Sequence, residues 1–172
     1  MNTESPAELV RRVDEADRVG RAQRLSQLTD LLGSAAYEGF TGDAARWLFE
    51  DIKSTWIFGC FPSTIIAATA FCKIQLAGQL RMLPGDPALP GEPQSLEELA
   101  ALAARFRIIS TDSQALLVEL HDRALAYEPG SLEEYNPMLE RHMVEAQGLA
   151  DGHPLIADGL IAVRAAIGCV YR

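Results

Sequence analysis

Three times in this chain a serine stands three residues before a glutamate: Ser5-Pro6-Ala7-Glu8, Ser95-Leu96-Glu97-Glu98 and Ser131-Leu132-Glu133-Glu134. In such a box the serine oxygen accepts the N3 amide and the glutamate reaches back to the cap amide, so each box marks a helix N-terminus. Pro6 suits the first helical position, where no amide hydrogen is needed. Thr111-Asp112-Ser113-Gln114 reads as a fourth box, Pro62 restarts a helix after Cys60-Phe61, and Asp151 to Pro154 is a further entry. The spacing predicts helices near 6–35, 43–59, 62–82, 95–106, 111–127, 131–149 and 153–171. No run of alternating apolar and polar residues bounded by turn signals appears, which leaves an all-α bundle of about six to seven helices.

With 172 residues, the chain is expected to form one domain, 1–172, with an N-terminal helical arm over 6–35 and a bundle over 40–172. Pro84, Pro87, Pro90 and Pro93 recur at the three-residue period of polyproline II, so 84–94 reads as a stiff linker between packed helices. A scaffold that interacts through this linker is an alternative role. In the first helix Leu9, Val13, Ala16, Leu25, Leu28, Leu32 and Ala35 form the apolar stripe. The third, with Ile65, Ile66, Ala67, Ala68, Ala70, Phe71, Ile74, Ala77 and Leu80, is apolar nearly all round. That marks it as the central, most buried helix, and Phe71→Ala or Ile74→Ala is expected to cost about 2–5 kcal/mol.

Fifteen basic and twenty-four acidic residues leave a formal charge of -9, which disfavours charge-driven coating of nucleic acid. Cys60, Cys72 and Cys169 form no C-x-x-C pair and leave one over, as expected in a reducing compartment. The polar, acidic N-terminus lacks the pattern of a secretory signal, so a cytoplasmic location is expected. Ser54 to Cys72 carries no charge over nineteen residues, but its central Pro62 and its hydroxyl residues fit two helices and a turn better than a membrane span. No membrane partner is expected.

The chemistry that the residues can carry is narrow. The residues three before His121, His142 and His153 are Val118, Leu139 and Ala150, so no Glu-x-x-His pair of the di-iron kind exists, and no zinc pattern appears. Neither a phosphate-binding G-x-x-x-x-G-K nor a G-x-S-x-G elbow is present. Neither a metal nor another cofactor is called for. The segment worth weighing is Glu119-Leu120-His121-Asp122-Arg123-Ala124-Leu125-Ala126-Tyr127-Glu128-Pro129. Glu119 sits four residues before Arg123, the favourable order for an ion pair on a helix. His121 and Asp122, as neighbours in a helix, diverge by about 100° and do not converge on a ligand.

The run from Asp51 to Ala70, a helix ending in Gly59-Cys60-Phe61 and a second opening with small and aliphatic residues, resembles the two-helix signature of HEPN domains. Ala104-Arg105-Phe106-Arg107-Ile108-Ile109-Ser110 through Arg123 is similar to the approach to that family's R-N-x-x-x-H-P motif. The resemblance implies a helical bundle, homodimers, and in active members metal-independent RNA cleavage by the motif's Arg and His. Arg123 and Pro129 match the motif, whereas Ala124 stands in place of the Asn and Glu128 in place of the His. A histidine exchanges a proton near neutral pH; a glutamate does so only with a raised pKa, which Arg123 opposes. The leading expectation is therefore an HEPN-like protein with a degenerate motif, acting as a dimerising or partner-binding module rather than an enzyme. The competing expectation is an endoribonuclease-like or nucleotide-binding enzyme. There Arg123, with Glu119 beside it, binds the ligand, and Arg123, Tyr127 and Glu128 are the candidate catalytic residues.

Overall fold

The computed structural model describes residues 6–33, 39–84, 95–125, 127 and 154–170. Within them lie six helices and no strand: α1 (Pro6–Leu32), α2 (Asp43–Ile57), α3 (Phe61–Arg81), α4 (Leu96–Arg105), α5 (Thr111–Leu125) and α6 (Pro154–Gly168). The fold is an all-α bundle. The helix expected over 131–149, the boxes at Ser5 and Ser131, and all of the linker after Pro84 up to residue 94 lie outside the described residues.

Where the boxes are described, local chemistry sets the helix starts. Ser95 Oγ accepts from the Glu98 amide at 3.1 Å and the Ser95 amide donates to Glu98 Oε2 at 3.0 Å, which completes the α4 capping box. At α5 the cap is one residue earlier than expected. Thr111 is already helical, and Ser110 Oγ accepts from the Ser113 amide at 3.0 Å. Two serines thus share a cap, their hydroxyls 3.0 Å apart.

The uncharged run from Ser54 to Cys72 is broken by the α2–α3 corner. The Gly59 amide donates to Trp56 O and the Cys60 amide to Thr55 O, a left-handed C-terminal cap in which Gly59 takes φ 74°. The same motif ends α4, with Arg107 at φ 58° in the left-handed place, its amide bonded to Ala104 O and that of Ile108 to Ala103 O. No described helix is long and apolar enough to cross a membrane.

Helix α3 is the axis of the bundle, packed against α2, α4, α5 and α6. It runs antiparallel to α2, with Phe71 beside Phe49 (ring centroids 5.3 Å apart) and the Thr64 and Thr55 hydroxyls 3.1 Å apart. Phe40 closes the aromatic cluster, 5.4 Å from Phe49 and 6.2 Å from Phe71. The fully buried Gln75 pins the approach to α2: its Oε1 accepts from the Thr41 amide and hydroxyl, and its Nε2 donates to Gly39 O. Phe71 is central as expected. Ile74 is not: it is 42% exposed, and Ile66 is 54% exposed, so the outer face of α3 is open.

The second half of α1 docks on its own chain. Arg24 Nε donates to Ile57 O at 2.9 Å, at the end of α2 where carbonyls lack helical partners, and Trp56 Nε1 donates to Arg24 O at 3.1 Å. The Arg24 guanidinium lies over Phe61 and that of Arg21 over Phe58. Leu28 is buried in this joint, while Leu25, expected on the same stripe, is half exposed. The ion pair of Arg24 and the ring beneath it turn the face toward Arg21, Arg24 and Leu28 instead. The side chains of Leu9, Val13 and Ala16, and residue Ala35, lie outside what is described.

Candidate functional site

Of the residues singled out on α5 and just past its end, Glu119, Arg123 and Tyr127 come together, and Glu128 lies outside the described residues. Helical spacing puts Glu119 one turn before Arg123, and Arg123 Nη2 donates to Glu119 Oε1 at 2.9 Å. The group is completed from α6 by Asp158, which sequence spacing did not suggest. Arg123 Nη1 donates to Asp158 Oδ1, and the Tyr127 hydroxyl donates to Asp158 Oδ2 at 3.3 Å.

Two helices in antiparallel register make this contact. Arg123 faces Asp158 at one end, and ten residues along each helix Ser113 lies against Gly168 at the other. Asp158 is the more enclosed partner, with 13% of its side chain exposed against 37% for Arg123 and 45% for Glu119. A signal for it was present: α6 reads Pro154-Leu155-Ile156-Ala157-Asp158-Gly159-Leu160-Ile161-Ala162-Val163-Arg164, and an acid in so apolar a helix needs a partner when it is enclosed.

The electrostatics are those of a latch. The hydrogen bond to Glu119 and then that to Asp158 raise the Arg123 pKa above its already high ordinary value, so the guanidinium is charged throughout. One positive charge faces two carboxylates, and a phosphate approaching Arg123 meets both of them. Burial, then the charge and hydrogen bond of Asp158, push the Tyr127 phenol up from its ordinary value of 10.0. It is a standing proton donor, the wrong state for a general base at neutral pH. Among the described residues no three His, Cys, Asp or Glu side chains group as metal ligands; His142 and His153 lie outside them.

A folded state that holds a phenol proton more tightly than the unfolded chain is favoured below the unfolded pKa and loses that advantage as pH climbs above it. The urea midpoint is therefore expected to fall as pH rises above about 10, the ordinary tyrosine value. Tyr127→Phe, which has no proton to lose, should show a shallower alkaline decline than the wild type. Equal slopes between pH 8 and 11 would show that the folded chain does not hold the phenol proton.

No protein-family model, curated protein or solved structure matches this chain.

Proposed function

We propose that the chain is an HEPN-like helical module with a degenerate motif that associates with a second copy of itself through the outer face of α3. The observation that carries this is the exposure of Ile66 and Ile74 on the most centrally packed helix, with the half-buried Ala70 midway between them. Ile66 precedes Ala70 by four residues and Ile74 follows it by four, so all three fall on one line of the helix. An antiparallel two-fold contact centred on Ala70 sets Ile66 of each copy against Ile74 of the other. A small residue on the axis lets the two backbones approach. Lys73 falls to one side of this line and keeps its charge at the rim.

The Arg123 group supports the non-enzymatic side of the reading. Both of its hydrogen-bonded carboxylates come from the chain itself, and the ribonuclease alternative would need the guanidinium released from them. A contact through one helix face lies at the low end of interface sizes, so association on the order of micromolar Kd is expected. Sedimentation velocity over a concentration series tests this. The wild type should pass from monomer to dimer, and Ala70→Arg should stay monomeric with an unchanged helical circular dichroism spectrum, because residue 70 points away from the core. A wild type that is monomeric throughout, or an Ala70→Arg dimer, would refute the proposal.

A further inference from the structure

Helices α3 and α6 run parallel. Phe61 lies against Gly159 near the start of each, Gln79 Nε2 reaches Cys169 O farther along, and this register sets the Cys72 side chain, eleven residues along α3, against Cys169, ten along α6. Both cysteines are buried in the core, Cys72 fully. We propose that they form a modification site: a buried dithiol that a peroxide converts into an intrachain disulfide, stapling the end of α6 to the middle of α3. The third cysteine cannot substitute. Cys60 is twelve residues from Cys72 along one continuous helical run, about 18 Å of rise, whereas a disulfide needs Cα atoms within about 7 Å.

Access comes from the Cys169 side. This residue follows the last residue of α6, in a turn held by the Cys169 amide bonded to Ala166 O at 3.2 Å and the Val170 amide bonded to Ile167 O at 3.0 Å. Helix ends open more readily than helix middles. Gln79 Nε2 donates to Cys169 O at 3.0 Å, but the same amide's Oε1 is buried with no hydrogen-bond partner among the described residues. The joint between α3 and this turn is thus incompletely satisfied, which lowers the cost of opening it. Burial, and then the Cys169 thiol, hold the Cys72 thiol well above its ordinary pKa; Cys169, at the helix end that opens more readily, makes the first attack.

The Cys169 thiolate cleaves the O–O bond of hydrogen peroxide, forming the sulfenic acid and releasing hydroxide, which takes up the thiol proton as water. The Cys72 sulfur then attacks the sulfenic sulfur. The S–S bond forms, and the sulfenic hydroxyl leaves with the Cys72 proton as a second water. Two thiols and one peroxide give one disulfide and two waters.

The test uses the folded Cys60→Ser chain, which removes the exposed thiol and leaves the core intact. After mild peroxide treatment and alkylation, non-reducing peptide mapping should find Cys72 linked to Cys169, two hydrogens lighter than the free pair, with alkylation restored by dithiothreitol. The oxidised chain should also unfold at higher urea concentration than the reduced one. Recovery of both residues as free thiols after the folded chain is treated would overturn the proposal. So would a 72–169 link that forms only when the treatment is done in urea.

Discussion

Phe71→Ala should cost about 3–5 kcal/mol of unfolding free energy, while Ile74→Ala, three residues further along the same helix, should cost less than about 1 kcal/mol. Phe71 is fully buried and sits between Phe40 and Phe49, each within ring-contact distance, on the face that joins α3 to α2. Truncating it loses the transfer energy of the ring, leaves a cavity and removes two aromatic contacts at once. Ile74 is 42% exposed, and its loss removes little from the intrachain core. Urea titrations at protein concentrations low enough to keep the chain monomeric check both. Equal costs for the two substitutions would mean that the outer face of α3 is covered within the chain.

The second large effect is expected at Gly159. A Cβ built there would stand 2.8 Å from Phe61 Cδ1, 3.1 Å from Trp56 Cζ3 and 3.3 Å from Trp56 Cε3. Alanine would ordinarily add about 1 kcal/mol of helix stability over glycine. Here the obstructing atoms are two buried rings packed edge to face, centroids 5.5 Å apart, and the Trp56 ring is tied to α1 through its bond to Arg24 O. Neither can turn aside without disturbing α1, α2 and α3 together. Overpacking outweighs propensity, and Gly159→Ala is expected to lose about 1–3 kcal/mol net. A thermal midpoint equal to or above that of the wild type would show that α6 can shift away from the α2–α3 corner.

The contrast between Phe71 and Ile74 shows what can be read from a sequence of this kind and what cannot. The capping box at Ser95, the corner at Gly59 and the two-helix reading of the uncharged run depend on residues within one turn of each other. These were legible from spacing and residue type. The cap at α5 moved by one residue because Ser110 and Thr111 can both accept an N-terminal amide, and only the backbone path decides between them. Helix α3 was correctly read as the centre of the bundle. The apolar run does not say whether Ile66 and Ile74 are covered by the same chain, because hydropathy records only that a face avoids water.

The candidate site divides the same way. Glu119, Arg123 and Tyr127 fall within nine residues on one helix and its end, so their meeting follows from helical periodicity. Asp158 is thirty-five residues from Arg123, and its arrival depends on the antiparallel register of α5 and α6. That register is a tertiary fact. Its only trace in the sequence is a lone acid in an apolar helix.

The central claim, a two-fold contact of α3 with α3, is tested most directly at its axis. A residue on a two-fold axis lies beside its own copy. In the Cys60→Ser background, Ala70→Cys should therefore form a disulfide-linked dimer rapidly under mild oxidation, whereas Ser54→Cys, exposed on α2, should remain monomeric under the same conditions. Cross-linking of the two variants at equal rates, or of Ser54→Cys ahead of Ala70→Cys, would contradict the assignment of α3 as the face on which two copies meet.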